Sequence, residues 1–399
     1  MRAFIALAWL FFALAAGAEP TVLVLSFDGV RHDYPERVPD GALARMQREG
    51  ARAQHLVPVF PSSTFPGHVS LATGTYPDRH GIVDNQFFDR TRGEFRMGND
   101  ASWIAAEPLW AAAERQGVPA AVYFWVGSET DWRGQGVHQR VAPFDARVTE
   151  REKVARILGW LDLPAPQRPR LIMSWWHGAD HAGHLRGPDD PSVRAALREQ
   201  DMELAALLAA LDARDAWRDT TLIVVSDHGM TAVTGDVPLR ETLARAGVRA
   251  RIAGGGSVAQ LFLFDPAQRE RAEAALRELS GISVYRGESL PESLRLRFPA
   301  RTGDLVVVAA PGVALRESPW GERVLRTLGS AFGWQRGMHG YSPEDPDMAG
   351  ILFALGRGVP AGTKLGAVRM IDVAPTVARL LGIAAPASSE GTPIAGIGD

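Results

Sequence analysis

The sequence predicts an α/β protein with a mostly parallel central sheet, helices on both faces and cap-like insertions. Three observations carry this expectation. Residues 21–27, 170–176, 221–226 and 350–355 are short apolar runs, rich in Val, Ile and Leu and without polar alternation, as in strands buried on both faces of a parallel sheet. Between them, residues 41–49, 107–116, 192–211 and 372–381 carry apolar side chains near the helical period. Strand-like and helix-like segments therefore alternate, the pattern of a doubly wound domain.

Residues about 86–165 and 231–335 interrupt the alternation with Pro, Gly and charged residues, and are expected as insertions or a cap on one large domain. Gly254-Gly255-Gly256 reads as a connector rather than a phosphate cradle, because no Lys-Ser/Thr follows it. The chain also lacks a G-x-S-x-G elbow and an H-E-x-x-H helix, which removes two common hydrolase readings.

Composition narrows the chemistry further. The 399 residues are 46% hydrophobic and 22% charged, with a net charge of −3 and no block of like charge, so no duplex nucleic-acid surface is expected. There is no cysteine; disulfides, thiolate metal sites and a thiol nucleophile are all excluded. Arg2, the apolar stretch 3–15 and Ala16-Gly17-Ala18 have the form of a signal peptide. Residues 1–18 are expected to be removed after Ala18, giving a periplasmic or secreted chain. No later segment is long and apolar enough for a membrane span.

In an open α/β sheet, ligands bind outside the carboxyl ends of the strands, and acids and imidazoles collect at those ends here. Asp28 follows the first run, Asp227-His228 follows the third, and Asp180 and His184 follow the second at a four-residue spacing that shares one helix face. His339 stands shortly before the fourth run. Three carboxylates and three imidazoles form a mixed N/O donor set suited to Zn²⁺, and six donors exceed one tetrahedral site, so two zinc ions per chain are expected. A metal pair suits in-line displacement at phosphorus. A hydroxyl needs a metal or a base to attack; Ser62, Ser63 and Thr64 are adjacent candidates among which composition does not choose.

The chain resembles the nucleotide pyrophosphatase/phosphodiesterase family of the alkaline phosphatase superfamily. The resemblance rests on Phe27-Asp28-Gly29, Thr64-Phe65-Pro66-Gly67-His68, Thr73-Gly74-x-Tyr76-Pro77-x-x-His80-Gly81-Ile82-Val83-Asp84-Asn85 and Glu107-Pro108-Leu109-Trp110. It continues through Phe124-Trp125-x-Gly127-Ser128, Asp180-x-x-Gly183-His184, Val225-Ser226-Asp227-His228-Gly229-Met230 and His339-Gly340-Tyr341. It implies an alkaline-phosphatase-like fold and one zinc on Asp180, His184 and His339. A second zinc on Asp28, Thr64, Asp227 and His228 follows from the same match.

The same resemblance makes Thr64 the nucleophile and Asn85 a holder of the phosphoryl oxygen, and it leaves His68 and His80 structural. It implies an aromatic slot for a base or leaving group made by Phe65 and Trp175. The stretch Trp175-Trp176-His177-Gly178-Ala179 departs from the family pattern. The activity implied is hydrolysis of a small phosphodiester or nucleotide through a phospho-threonine. The alternatives are a phosphomonoesterase or phosphonate hydrolase on the same scaffold, or a non-catalytic exported binding protein.

Overall fold

The computed structural model describes residues 19–316 and 336–399. The signal peptide expected over residues 1–18, with cleavage after Ala18, lies outside the described residues, as does the end of the second interrupting stretch. No helix among the described residues is long and apolar enough to cross a membrane.

Eight strands form the main sheet: β1 (Thr21–Phe27), β2 (Ala51–Val57), β3 (Ala120–Tyr123), β4 (Gln139–Val141), β5 (Leu171–Trp176), β6 (Thr220–Val225), β7 (Leu352–Gly356) and β8 (Thr363–Arg369). Their order across the sheet is β8-β2-β7-β6-β1-β5-β3-β4. Every residue of β1, β5 and β6 is buried, which is why these strands read as unbroken apolar runs. Ser26 of β1 pairs with Trp175 on one side and Val225 on the other. The three central strands therefore end level, and whatever follows them is delivered to one edge.

The helices that support this edge are α1 (Ala42–Glu49), α2 (Thr64–Thr73), α3 (Leu109–Arg115), α4 (Glu150–Leu161), α5 (Gly178–Arg186), α6 (Pro191–Ala213) and α7 (Val373–Leu381). Local chemistry sets their starts. Thr149 and Glu152 form a reciprocal capping box on α4, and the Asp190 carboxylate accepts from Ser192 N at the start of α6; both satisfy donors the first turn leaves free.

Two expectations are corrected. The fourth apolar run, β7, is antiparallel to both neighbours, pairing Phe353 with Val224 and with Arg52. A strand buried on both faces is apolar throughout whichever way it runs, so composition carries no direction. Residues 86–165 are also not simply an interruption: they supply β3 and β4 to the main sheet and α3 and α4 to its faces. At four and three residues, β3 and β4 are too short to show a period.

The second stretch has a sheet of its own, with neighbouring strands Ala250–Gly255, Val258–Leu263, Leu305–Ala309 and Ile282–Arg286, all antiparallel. Leu239, Leu261, Leu276 and Leu305 form a separate core beneath it. The three glycines expected to form a loose connector end one strand and turn into the next, with Gly254 opposite Ala259.

One buried histidine ties stability to pH. His80 is fully buried, accepts from Ile82 N at 3.1 Å through Nδ1 and meets Ser70 Oγ at 2.9 Å through Nε2. A second proton would set Nδ1–H against the Ile82 N–H. Burial, then the Arg301 charge, pushes its pKa down to about 3. The unfolded chain takes up this proton near pH 6.5 and the folded chain only near pH 3, so stability falls with falling pH across that window, by about 1.4 kcal/mol per pH unit. Denaturant midpoints at pH 7 and pH 5 are expected to show a smaller acid loss in His80→Asn than in the native chain; equal losses would refute the assignment.

Candidate metal centre and nucleophile

Beyond the level ends of β6, β1 and β5 the chain turns sharply. Asp28 follows β1, Asp227 and His228 lie just past β6, and β5 feeds α5, which carries Asp180 and His184 one helical turn apart. Gly29 is in the left-handed region at φ 67°, and a Cβ there would lie 2.8 Å from the Asp180 Cβ. Only glycine lets the two strand-end turns approach this closely.

The side chains gather into two trios, Asp28 with Asp227 and His228, and Asp180 with His184 and His339, each with ligating atoms within 4.8 Å of one another. The trios adjoin: the rings of His228 and His339 stack with centroids 3.7 Å apart. Each imidazole uses Nδ1 on a backbone carbonyl, His184 on Gly337 at 2.9 Å, His228 on Gly229 at 2.8 Å and His339 on Ser62 at 3.1 Å. That fixes the tautomer and directs Nε2 into the cluster, the usual arrangement around a bound metal.

Asp28 Oδ1, Asp180 Oδ1 and Asp227 Oδ2 are buried with no hydrogen-bond partner among the described residues. Buried carboxylate oxygens without partners are costly, and a divalent cation in each trio would satisfy them. The residues present therefore fit a metal pair. The local charge points the same way. Burial, then Asp227 and Asp180, raises the Asp28 carboxyl well above the usual range. Burial, then His228 and His184, holds the His339 imidazole well below its usual value. Burial opposes ionisation of Asp227, but His228 and His68 outweigh it and keep that carboxyl low.

Thr64 is the first residue of α2 and is buried, with Oγ1 3.2 Å from His228 Nε2. Neighbouring Ser62 turns away, with its hydroxyl on the carbonyls of Val59 and Tyr341. Asn85 reaches the same helix end, where its Oδ1 accepts from Phe65 N at 2.8 Å.

Trp175, expected in the aromatic slot, is the fifth residue of β5. Its ring is buried, stacks on Phe144 at 4.7 Å and donates from Nε1 to Asp28 Oδ2 at 2.8 Å. A side chain at the end of a doubly buried strand enters the core, and its N–H must then find an acceptor. Phe65 is also buried, its ring edge-on to Phe95 at 5.7 Å.

Three outer residues escaped sequence reasoning. His68, expected as structural only, sits 3.3 Å from Asp227 Oδ2 through Nδ1, and its place four residues after Thr64 was the available signal. Lys153 is fully buried and donates to the Trp175 carbonyl at 3.0 Å; on α4, far away in sequence, it left no signal. Asp84 is buried beside Asn85, and burial pushes it up to about 7 against the Asn85 N–H.

A model of the family described as type I phosphodiesterase / nucleotide pyrophosphatase matches residues 22–342. The chain belongs to this family. An uncharacterized pyrophosphatase/phosphodiesterase of Schizosaccharomyces pombe is 38% identical over 226 residues, covering 55% of this chain and 46% of that protein. Ectonucleotide pyrophosphatase/phosphodiesterase family member 5 of Homo sapiens is 27% identical over 91% of this chain and 75% of its own length. The chain thus spans less than half of the yeast relative, and 43% of a Caenorhabditis elegans one. Among solved structures, murine ectonucleotide pyrophosphatase/phosphodiesterase 5, an inactive threonine-to-alanine variant in complex with AMP, matches with a TM-score of 0.84 and 25% identity over 92% of this chain and 96% of that one.

The Trp175 contact yields a test. Trp175→Phe keeps most of the ring but removes the donor that orients Asp28, so affinity for a divalent metal is expected to fall about tenfold or more. Competition with a chelator measures this directly, and unchanged affinity would return Trp175 to packing alone.

Proposed function

We propose that the chain is an exported hydrolase of phosphodiester or pyrophosphate bonds in nucleotide-type small molecules, working with two zinc ions and with Thr64 as nucleophile. The observation that carries this reading is the Thr64 hydroxyl at a helix start, 3.2 Å from an imidazole that belongs to an acid-rich trio. Asp28, Asp227, His228 and Thr64 would hold one ion, and Asp180, His184 and His339 the other. When bound, the ions lower the pKa of the attacking hydroxyl and offset charge on the phosphoryl oxygens.

The chain's own residues do the rest. Thr64 Oγ attacks phosphorus, forming an ester as the bond to the leaving oxygen breaks, and water then releases the phospho-threonine in a second in-line step. The first turn of α2 faces its positive end toward the phosphoryl group, which favours an anion there. Asn85 offers its amide NH₂ to a phosphoryl oxygen, because its carbonyl oxygen is engaged by Phe65 N. The murine neighbour supports the reading on two points: its threonine-to-alanine variant is inactive, and that variant binds AMP.

Thr64→Ala is expected to lower kcat by about three orders of magnitude or more while retaining most of the metal, and Thr64→Ser to keep much of the rate. A chiral phosphorothioate diester should hydrolyse with net retention at phosphorus; inversion, or an active Thr64→Ala, would remove Thr64 from the chemistry. Elemental analysis should find about two zinc ions per chain, lost together with activity on acidification, because the ligands must be deprotonated to bind. Faster turnover of bis-p-nitrophenyl phosphate than of p-nitrophenyl phosphate is expected; the reverse order would favour a monoesterase. For export, the chain from its native compartment should begin at or near Glu19 by mass spectrometry.

A further inference from the structure

Every polar group of Asn85 but one is already committed. Its backbone N–H donates to Asp84 Oδ1 at 2.7 Å, its backbone carbonyl accepts from Met97 N at 2.9 Å, and its Oδ1 accepts from Phe65 N at 2.8 Å. The side-chain NH₂ has no hydrogen bond within the described residues. Asn85 is therefore held from three sides, and Asp84 supplies one of the three contacts.

Asp84 is in turn confined by the second sheet. Gly254 has φ 91°, and a Cβ there would lie 2.9 Å from Asp84 Oδ2 and 2.8 Å from the Val258 carbonyl. Glycine is thus required by conformation and by the carboxyl pressed against it. The same turn reaches the other side of the site: Ser257 lies against Gly340, and a Cβ on Gly256 would touch Met338 at 3.4 Å, on either side of His339.

We propose that Asp84 is a positioning residue for Asn85, and that the Gly254–Gly256 turn of the second sheet sets the Asp84 carboxyl and through it the amide that meets the phosphoryl group. This rests on the reading that Asn85 holds a phosphoryl oxygen. The sheet built from residues 250–309 then acts on the rate of the reaction although it supplies no group to either metal trio.

The test uses the zinc-loaded chain and a nitrophenyl diester. Asp84→Ala removes the acceptor for Asn85 N and is expected to lower kcat about ten- to a hundredfold, with KM within about twofold and zinc content unchanged. Asp84→Asn keeps an oxygen at that place and is expected to restore most of kcat. Gly254→Ala drives a methyl toward Asp84 and should lower kcat in the native background, and by less in Asp84→Ala, where the displaced oxygens are gone and only the Val258 carbonyl contact and the φ of 91° remain. Native kcat in Asp84→Ala, additive losses in the double variant, or a kcat loss that follows zinc loss would overturn the proposal. Asn85→Ala is measured alongside. If it is as active as the native chain, the phosphoryl-holding reading has failed; if it is impaired while Asp84→Ala is not, only the positioning of Asn85 by Asp84 has failed. Should Gly254→Ala not fold, the Asp84→Ala and Asp84→Asn pair decides alone.

Discussion

Three carboxylates gathered at one sheet edge are the constraint on which the site depends. Asp28 and Asp227 are almost wholly buried, and each has an oxygen without a hydrogen-bond partner among the described residues, as has Asp180. Burial first, and then repulsion from Asp227 and Asp180, raises the Asp28 carboxyl well above the usual range. Bound cations would supply the missing balance. The paired trios, the stacked imidazoles and the Thr64 hydroxyl beside them share that edge.

Around the trios runs a layer of donors whose job is orientation. Gly29 N donates to Asp227 Oδ1 at 3.1 Å, Trp175 Nε1 to Asp28 Oδ2, and Lys153 to the carbonyl of Trp175. Asp28 and Asp227 thereby each present one oxygen to the protein and the other to the cluster. Lys153 is itself pushed down to about 8 by burial, with Glu150 and Asp28 opposing the shift. Its place on α4 shows that residues 86–165 reach into the site from behind, in addition to completing the sheet.

The second sheet approaches from the opposite direction. Its turn presses on Asp84, next to Asn85, and on Gly340 beside His339, so it reaches both sides of the cluster without contributing an atom to either trio. Membership in the type I phosphodiesterase / nucleotide pyrophosphatase family, over residues 22–342, includes this sheet. The close overall likeness to the murine structure, with a TM-score of 0.84, likewise covers 92% of the chain.

By itself the sequence determined the strand runs that end in acids, the four helices with clear periods, and all six His and Asp residues of the two trios. These signals are local: burial on both faces writes an unbroken apolar run, and a polar residue directly after such a run needs a partner. The antiparallel direction of β7, the short strands β3 and β4, and the hairpin at Gly254 were decided only by tertiary structure, because strand direction and pairing arise between segments far apart in the chain. The same holds for Trp175. Its residue type suits either an open slot or a core, and only the Phe144 ring and the Asp28 oxygen, 31 and 147 residues away in sequence, show what its ring stacks on and where its N–H donates.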